Sequence, residues 1–290
     1  MHPACLAALR CPHCAGPLHL DDRSLACGHG HRFDRARQGY VNLVAGAGTP
    51  HHGDDAAMVE RRERVLADGL LEPVLAGLAE GADAALRQAP PDREAVVVDV
   101  GAGPAVHLAR LVSGDAQRCG IAVDVSKHAA RRAARAHPRI TAIVADTWSG
   151  LPVADGAADL VVVVFAPRNA AELARVLAPH GQLLVAVPGD DHLAELRARL
   201  GLLEVEPGKD ERISAQLAPQ LELLDLRTVS WERPLTRAQA VDLVGMGPSA
   251  HHLDLDALAA ELADDDQPLT MRGSVRLLAF AHPSGAAGES

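Results

Sequence analysis

The chain has 290 residues and a formal net charge of -10, and 48% of its residues are hydrophobic, 23% charged and 2% aromatic. This composition is typical of a globular protein with one large domain and a small module, or with two ordinary domains. The acidic balance argues against a nucleic-acid-binding surface spread over the whole chain, and no apolar run of about 18 residues predicts a membrane span.

The N-terminus has no charged region followed by an apolar stretch, so we predict no signal peptide and expect a cytoplasmic protein. Thiols stay reduced in that compartment, so the five cysteines are interpreted as metal ligands and spare thiols. Charge is uneven, because residues 1–40 hold five arginines against three aspartates, and residues 126–145 hold five basic residues and no acid. A basic patch and a solvated helix face both fit this pattern.

The first motif is a Cys-x2-Cys-x12-Cys-x3-His pattern within residues 1–43. Two close pairs of ligands separated by a dozen residues can converge on one tetrahedral site, and thiolates with an imidazole favour zinc. We predict a structural zinc ion held by Cys11, Cys14, Cys27 and His31. His29 is the competing fourth ligand, because Cys-x-His also closes such a site.

After this module, residues 44–55 are predicted to form a linker or mobile loop, and residues 56–88 have the apolar spacing of a helix, which Pro90 and Pro91 end. The remaining two cysteines, Cys5 and Cys119, are interpreted as spare thiols. The predicted division is therefore a zinc-binding module over 1–43, a linker and helical segment over 44–90, and a main domain over 91–290.

From residue 95 onward, short apolar strands alternate with helices, which predicts a doubly wound α/β domain with a parallel sheet covered on both faces. The end of the chain favours an antiparallel finish instead. The predicted strands are Ala95–Val100, Gly120–Val123, Ile140–Ala145, Asp159–Phe165, Gln182–Val187, Leu221–Trp231 and Val275–Ala281, and the predicted helices are Val106–Val112, Lys127–Ala136, Ala170–Leu177 and His192–Leu200.

The first strand of this domain carries Asp99 and runs into a turn with Gly101 and Gly103. Glycines let the backbone approach a ligand, and the helix that follows offers free N–H groups. The second strand ends at Asp124, close to the spacing expected of an acid that holds ribose hydroxyls. Asp99 as a turn cap and Asp124 as a helix N-cap are the structural alternatives.

The third strand ends at Asp146, which Trp148 follows, and the fourth is followed by Phe165, Pro167 and Asn169. The carboxyl ends of neighbouring parallel strands form the usual ligand site of such sheets. The antiparallel finish and the polar segment after the fourth strand favour S-adenosylmethionine over NAD. Trp148 is interpreted as a packing residue or an adenine-stacking face, and Asn169 as a substrate-facing group or a helix cap.

These motifs together resemble the bacterial 23S rRNA guanine-N1-methyltransferases, of the tylosin-resistance type. The resemblance extends over nearly the whole chain, and its most specific part is the pair of zinc knuckles followed by Gly39–Leu43. The matching segments are Leu9–Cys14, Phe33-Asp34, Gln38–Leu43, Val98–Gly103, Asp124–Lys127, Val164–Asn169, Pro188 with Asp191–Leu193, and Met246–Ser249.

The resemblance implies a Rossmann-like methyltransferase that uses S-adenosylmethionine to methylate N1 of a guanine in a domain II hairpin of 23S rRNA, giving resistance to tylosin-like macrolides. It also implies a homodimer and a zinc module that contacts RNA. In that module Arg32, Arg35 and Arg37 are expected to contact phosphates, while Phe33 or Tyr40 would stack on a base or pack in the core.

By the same resemblance, Phe165 lies against the cofactor, and Pro167 and Asn169 are expected to position the guanine. Two departures stand out. Ala105 occupies the place of the family's third loop glycine, which suits alanine only if its φ is negative, and Leu71 stands where some relatives carry tyrosine. A methyltransferase acting on a macrolide-like small molecule and a non-catalytic homologue are the alternative functions.

Overall fold

The structure is a computed structural model that describes residues 1–45, 49, 51, 53–202, 208–247, 250, 252–264 and 267–283. Its N-terminal module contains a short helix and a three-stranded antiparallel sheet in the order β1-β2-β3. These elements are α1 (Pro3–Ala8), β1 (Leu18–Asp21), β2 (Ser24–Cys27) and β3 (Arg32–Asp34). The two cysteine-bearing turns flank β1 and β2, which brings them to the same end of the small sheet.

The segment over 56–88 is helical as predicted, but it is divided into two helices. Helix α2 (Ala56–Ala67) begins at its N-cap Asp55, whose side chain accepts the Met58 N–H. Helix α3 (Glu72–Leu86) begins with a proline in its first turn. The break falls at Gly69, whose φ of +68° is a left-handed conformation that helices do not continue through.

An eight-stranded mixed sheet forms the centre of the main domain. Its strands are β4 (Val41–Asn42), β5 (Ala95–Val100), β6 (Arg118–Asp124), β7 (Ile140–Val144), β8 (Ala158–Val164), β9 (Leu177–Pro188), β10 (Glu222–Leu235) and β11 (Leu269–Ala281). The spatial order is β10-β11-β9-β8-β5-β6-β7-β4. Strands β10 and β11 pair antiparallel, as do β11 and β9, which is the predicted antiparallel finish.

One edge strand of this sheet comes from the N-terminal segment. Val41 and Asn42 pair in parallel with Ile143 and Val144 of β7. The main sheet therefore continues into a segment that the predicted division assigns to the zinc module.

The central strands are buried on both faces, as expected of a parallel sheet covered by helices. Every residue of β5 and β8 is buried, and the apolar side chains divide into two clusters, one on each side of the sheet. The covering helices of the first half are α4 (Val106–Ser113), α5 (Lys127–Ala136) and α6 (Ala170–Val176), which match the predicted helices closely. The predicted α/β fold is confirmed.

The second half departs more from the sequence-based boundaries. Strand β9 begins at Leu177 rather than Gln182, β10 continues to Leu235, and β11 begins at Leu269. Helix α7 (Ala194–Leu200) begins two residues later than predicted, because Leu193 has a φ of +58° and His192 therefore lies in the preceding loop. The remaining helices are α8 (Lys209–Leu217), α9 (Arg237–Gly245) and α10 (Leu255–Ala263).

Among the described residues, none of the helices has the length and hydropathy that crossing a bilayer would need.

Candidate functional site

The structure brings the four predicted zinc ligands together. Cys14 Sγ lies 3.7 Å from Cys27 Sγ, and His31 Nδ1 lies 3.5 Å from Cys11 Sγ and 3.3 Å from Cys27 Sγ. A tetrahedral zinc site with Zn–S of about 2.3 Å and Zn–N of about 2.0 Å requires ligand separations of about 3.8 Å for S–S and about 3.5 Å for S–N. The donor set and its spacing therefore fit zinc.

Local backbone geometry prepares this site. Gly30 has a φ of +83° and its N–H donates to the Cys27 carbonyl at 2.9 Å, which closes the second turn. Burial opposes ionisation of Cys27, but the backbone N–H groups of His29 and His31 and the His31 ring lower its pKa to about 6. A thiolate is the form of cysteine that binds metal. His29, the competing ligand, is not one of the four convergent donors.

The two spare cysteines are core residues. Cys5 and Cys119 are both 0% exposed, and Cys5 Sγ donates to the Gly120 carbonyl at 3.2 Å. They lie on α1 and β6, so this contact packs the N-terminal helix against the main sheet.

A tight backbone turn follows β5. Gly101 and Gly103 have φ values of +73° and +55°, and a Cβ added at Gly101 would lie 2.4 Å from the Ala166 Cβ. The turn therefore packs closely against the segment after β8. Ala105 also has a positive φ, of 59°, so the condition under which alanine would suit this position is not met and the residue occupies a glycine-type conformation.

Asp99 is the most unusual group in this region. It is 1% exposed, and neither of its carboxylate oxygens has a hydrogen-bond partner among the described residues. Burial, and secondarily the charge of Asp124, raise its pKa to about 7. A turn-capping carboxylate would accept backbone N–H groups, so that alternative is wrong for Asp99. An orphaned buried carboxylate beside a glycine turn fits a cationic ligand group.

Asp124 closes the same region from the next strand. Its two oxygens accept the N–H groups of Gly103 and Ser126, each at 2.8 Å. Burial raises the pKa of Asp124 despite these hydrogen bonds. The N-cap of α5 is Ser126, whose hydroxyl accepts from the first turn of that helix, so Asp124 is not the cap.

Asp146 and Trp148 follow β7. Asp146 accepts the Trp148 N–H at 3.0 Å, and its other oxygen contacts Thr49 and lies 2.9 Å from His51 Nδ1. Burial would raise the pKa of Asp146, but hydrogen bonds from Thr49 and His51 hold it below its ordinary value. The Trp148 side chain is 50% exposed, so it presents a ring to solvent instead of packing in the core.

Described parts of the predicted linker lie across this edge of the sheet. Besides the contacts of Thr49 and His51, the Asp54 carbonyl accepts the Ser126 hydroxyl, and a Cβ on Gly53 would lie 2.7 Å from the Ser126 nitrogen. The structure thus places residues 49, 51 and 53–55 against the ends of β6 and β7. We call these residues the strap.

Arg62 is a site residue that the sequence reasoning missed. Its guanidinium pairs with Asp54 of the strap, donates to the Met246 carbonyl at 2.8 Å and lies beside Gly103. The sequence gave little reason to choose Arg62, because it is one of several charged residues in the run from Glu60 to Arg64 and its spacing does not distinguish it from its neighbours.

The segment after β8 contains a residue with a strained backbone conformation and is held by hydrogen bonds of Asn169. Phe165 has a φ of +53° and is 41% exposed. Asn169 caps α6 by accepting the Glu172 N–H at 3.4 Å, and its Nδ2 donates to the Thr147 carbonyl at 3.2 Å. Asn169 therefore joins two loops and caps a helix. Pro167 is exposed between them.

The three arginines of the N-terminal zinc-binding module that were predicted to contact RNA are exposed to solvent. Arg32, Arg35 and Arg37 are all exposed; Arg32 pairs with Asp21 at 2.6 Å and Arg35 donates to the Gly39 carbonyl at 3.3 Å. Phe33 is 7% exposed and its ring stacks on His13 with centroids 5.7 Å apart, so it is a core residue. Tyr40 is partly buried and, like Ala134, packs against the apolar cluster on one face of the main sheet.

Two known protein families match parts of the chain. Residues 9–45 match the family described as RlmA, N-terminal, a zinc ribbon. Residues 97–181 match the family described as Methyltransferase domain.

Relatives also match the chain along most of its length. A Micromonospora griseorubida protein named as a 23S rRNA (guanine-N1)-methyltransferase is 47% identical, with 97% of this chain and 99% of that protein covered. The 23S rRNA (guanine(748)-N1)-methyltransferase of Streptomyces fradiae is 46% identical over 88% of this chain and 90% of its own. A Bacillus subtilis protein named for guanine-N1 methylation of 23S rRNA is 32% identical, covering 65% of this chain and 67% of its own.

These matches confirm the predicted methyltransferase with S-adenosylmethionine as its cofactor, and the predicted zinc-binding module. The residues at the strand ends fit that cofactor, because they offer a carboxylate without a partner, a glycine turn and an exposed aromatic ring.

Proposed function

Because the chain belongs to the family of 23S rRNA (guanine-N1)-methyltransferases, we propose that it transfers the methyl group of S-adenosylmethionine to N1 of a guanine in a domain II hairpin of 23S rRNA. The observation that carries the proposal is Asp99, a buried carboxyl without a partner at the end of β5. Among the described residues, neither oxygen of this carboxyl has a hydrogen-bond partner.

Each part of the cofactor has a matching group at this edge of the sheet. Asp99 would accept the methionyl ammonium, and Arg62 would bind the methionyl carboxylate over Gly103. Asp124 would accept the ribose hydroxyls, as acids at the end of the second strand do in such sheets. The adenine would lie near Asp146 and the exposed ring of Trp148, with Gly101 and Gly103 leaving room for the backbone to approach.

Phe165 and Pro167 would form the wall between cofactor and target base. When bound, S-adenosylmethionine supplies an electrophilic methyl group on a sulfonium. Transfer of that methyl group to N1 would break its bond to sulfur, and the proton of N1 would pass to water. Guanine N1 is protonated at neutral pH, so the protein must orient the base and favour the loss of that proton.

The zinc ribbon would offer a cationic surface to RNA, although the chain as a whole has a net negative charge. Arg32, Arg35 and Arg37 are exposed on it, and the Arg32–Asp21 pair is a surface ion pair of small energy, which a phosphate can replace. The target guanine must leave its stack to reach the methyl group, as in other base-modifying enzymes. The homodimer and the cytoplasmic location stay predictions.

Transfer of labelled methyl from S-adenosylmethionine to a short domain II hairpin transcript tests the proposal. We expect one methyl group per hairpin, with none on a transcript in which adenosine replaces the target guanosine. Binding of the hairpin should weaken steeply with salt, because phosphate contacts release counterions. Label found on a macrolide and not on the RNA would show that the small-molecule alternative is correct.

Resistance is the cellular consequence we propose. Expression of the chain in a macrolide-sensitive bacterium should raise the inhibitory concentration of tylosin-like macrolides, and the Asp99→Asn variant should not. RNA methylation without any change in sensitivity would leave the methyltransferase activity standing and reject its role in resistance.

A further inference from the structure

His192 lies in the loop after β9, beside the strained segment that follows β8. Its ring centroid is 6.1 Å from that of Phe165 and 6.3 Å from that of Trp231. Trp231 is itself fixed, because its Nε1 donates to the Leu70 carbonyl at 3.0 Å. The imidazole therefore stands between a fixed ring and an exposed ring at the open edge of the sheet.

The backbone around His192 is tightly held. The His192 N–H donates to the Gly189 carbonyl at 3.0 Å, and the Leu193 N–H donates to the Arg272 carbonyl at 2.9 Å. Leu193 has a φ of +58° and Phe165 one of +53°, so two non-glycine residues on either side of this ring adopt a left-handed conformation. Strain of this kind persists where the surrounding structure fixes it, and it concentrates at functional sites.

One hydrogen bond fixes the tautomer of the ring. The Ser274 N–H donates to His192 Nδ1 at 3.1 Å, so Nδ1 must carry a lone pair. The proton of the neutral ring is then on Nε2. Burial lowers the pKa of His192 to about 4, so the ring is neutral at physiological pH. Among the described residues, the ring of His192 makes one hydrogen bond, the one that Nδ1 accepts, which leaves Nε2–H available to a ligand.

We propose that His192 Nε2–H donates a hydrogen bond to O6 of the target guanine and so stabilises the negative charge that develops there as N1 loses its proton. This proposal rests on the proposed function. In the guanine anion the charge is shared between N1 and O6, and N1 must stay free to attack the methyl group. A neutral donor at O6 lowers the barrier without blocking the nucleophile.

The same hydrogen bond excludes His192 as the general base. Its only lone pair, on Nδ1, accepts the Ser274 N–H, and its low pKa disfavours taking up a proton. The proton from N1 therefore goes to water at the open edge. His192 acts as a fixed donor, comparable to one donor of an oxyanion hole.

Two variants separate this role from simple packing. The amide nitrogen of Gln reaches the position of Nε2, whereas the side-chain oxygen of Asn reaches that of Nδ1. His192→Gln keeps the proposed donor and loses the acceptor for Ser274; His192→Asn does the opposite. We expect His192→Asn to lower kcat on the hairpin about 100-fold, and His192→Gln to stay within about tenfold of the original chain.

Binding of S-adenosylhomocysteine by calorimetry should be unchanged in both variants, which checks folding of the cofactor site. The deficit of His192→Asn should also shrink as pH rises, because hydroxide then helps to remove the N1 proton. Equal losses in the two variants, or higher activity with Asn than with Gln, would overturn the proposal. If the original chain does not methylate the hairpin, the proposed function fails first, and the role of His192 fails with it.

Discussion

The guanidinium of Arg62 lies against the glycine turn, where a Cβ added to Gly103 would stand 3.4 Å from Arg62 Nη1. This contact joins α2, a helix outside the family match to the methyltransferase domain, to the turn after β5. The cation is held by Asp54 and by the Met246 carbonyl. It therefore stands next to the turn that the methionyl end of the cofactor would reach.

Replacing Arg62 by Met should weaken S-adenosylhomocysteine binding about 10- to 100-fold, the value of one to two charged hydrogen bonds. Binding of adenosine, which lacks the methionyl carboxylate, should not change. Arg61→Met is the matched control, because Arg61 is the neighbouring residue of α2 and pairs with Asp242 of α9. Equal losses for adenosine and S-adenosylhomocysteine would show that Arg62 only supports the fold.

Asp99 makes the stability of the ligand-free chain depend on pH. Its pKa is about 7 in the folded state and near its ordinary value of about 3.9 when unfolded. Between these values the unfolded state loses its proton while the folded state keeps it, so the free energy of unfolding falls as pH rises. The loss should be of the order of a few kcal/mol and complete above pH about 7.

Asp99→Asn should remove this loss. Urea unfolding of the ligand-free variant should show higher stability than the original chain at pH 8 and a similar stability at pH 4, while binding of S-adenosylhomocysteine is lost. A variant that is no more stable at pH 8 would mean that Asp99 is already compensated by a neighbouring group.

Ala105 is strained, whereas Ala109 lies within α4. A left-handed conformation costs alanine roughly 1–2 kcal/mol. In Ala105→Gly the relief of this strain should offset two losses of stability, the buried methyl group and the larger conformational entropy of the unfolded chain. Ala109→Gly has no such relief and should destabilise by about 1 kcal/mol. Thermal unfolding should therefore leave Ala105→Gly close to the original chain and lower Tm for Ala109→Gly. Equal decreases in Tm for the two variants would show that Ala105 is not strained by a left-handed conformation.

Cys14→Ser should release the zinc ion, because one thiolate of the tetrahedral set is lost. Metal analysis should find one zinc per original chain and much less in the variant, and proteolysis of residues 1–40 should become faster. Calorimetry with S-adenosylhomocysteine should change little. Cys119→Ala is the control, since Cys119 is buried in the main core and is not one of the four convergent ligands; it should keep its zinc.

Local patterns in the sequence predicted the features that depend on local physics. The bounds of β5 and α5 agree with the prediction, because a run of β-branched residues and a Ser N-cap each carry their own signal. Spacing predicted the zinc ligands, whereas the choice of His31 over the competing His29 is supported by the fold. The three acids at strand ends follow from alternation of strands and helices, which fixes the edge at which they meet.

Other features depend on contacts between residues far apart in the chain. The pairing of Val41 with Ile143 is long-range and involves a strand of two residues, too short for a periodic signal. The position of Arg62 depends on Met246, and the tautomer of His192 depends on Ser274. The choice between packing and exposure for Trp148 likewise needed the tertiary structure, since an aromatic residue after a strand fits both.

The short strand β4 has a consequence for target choice. Since Val41 and Asn42 are hydrogen-bonded into the sheet that carries Asp99, the backbone of the zinc ribbon is tied to the sheet at whose edge the cofactor would bind. An RNA stem bound by the ribbon would then place in the pocket only the nucleotide that lies at one particular distance along the RNA from the bound part of the stem. The enzyme would select its guanine by spacing along the hairpin, and a stem lengthened by one base pair would present the wrong nucleotide.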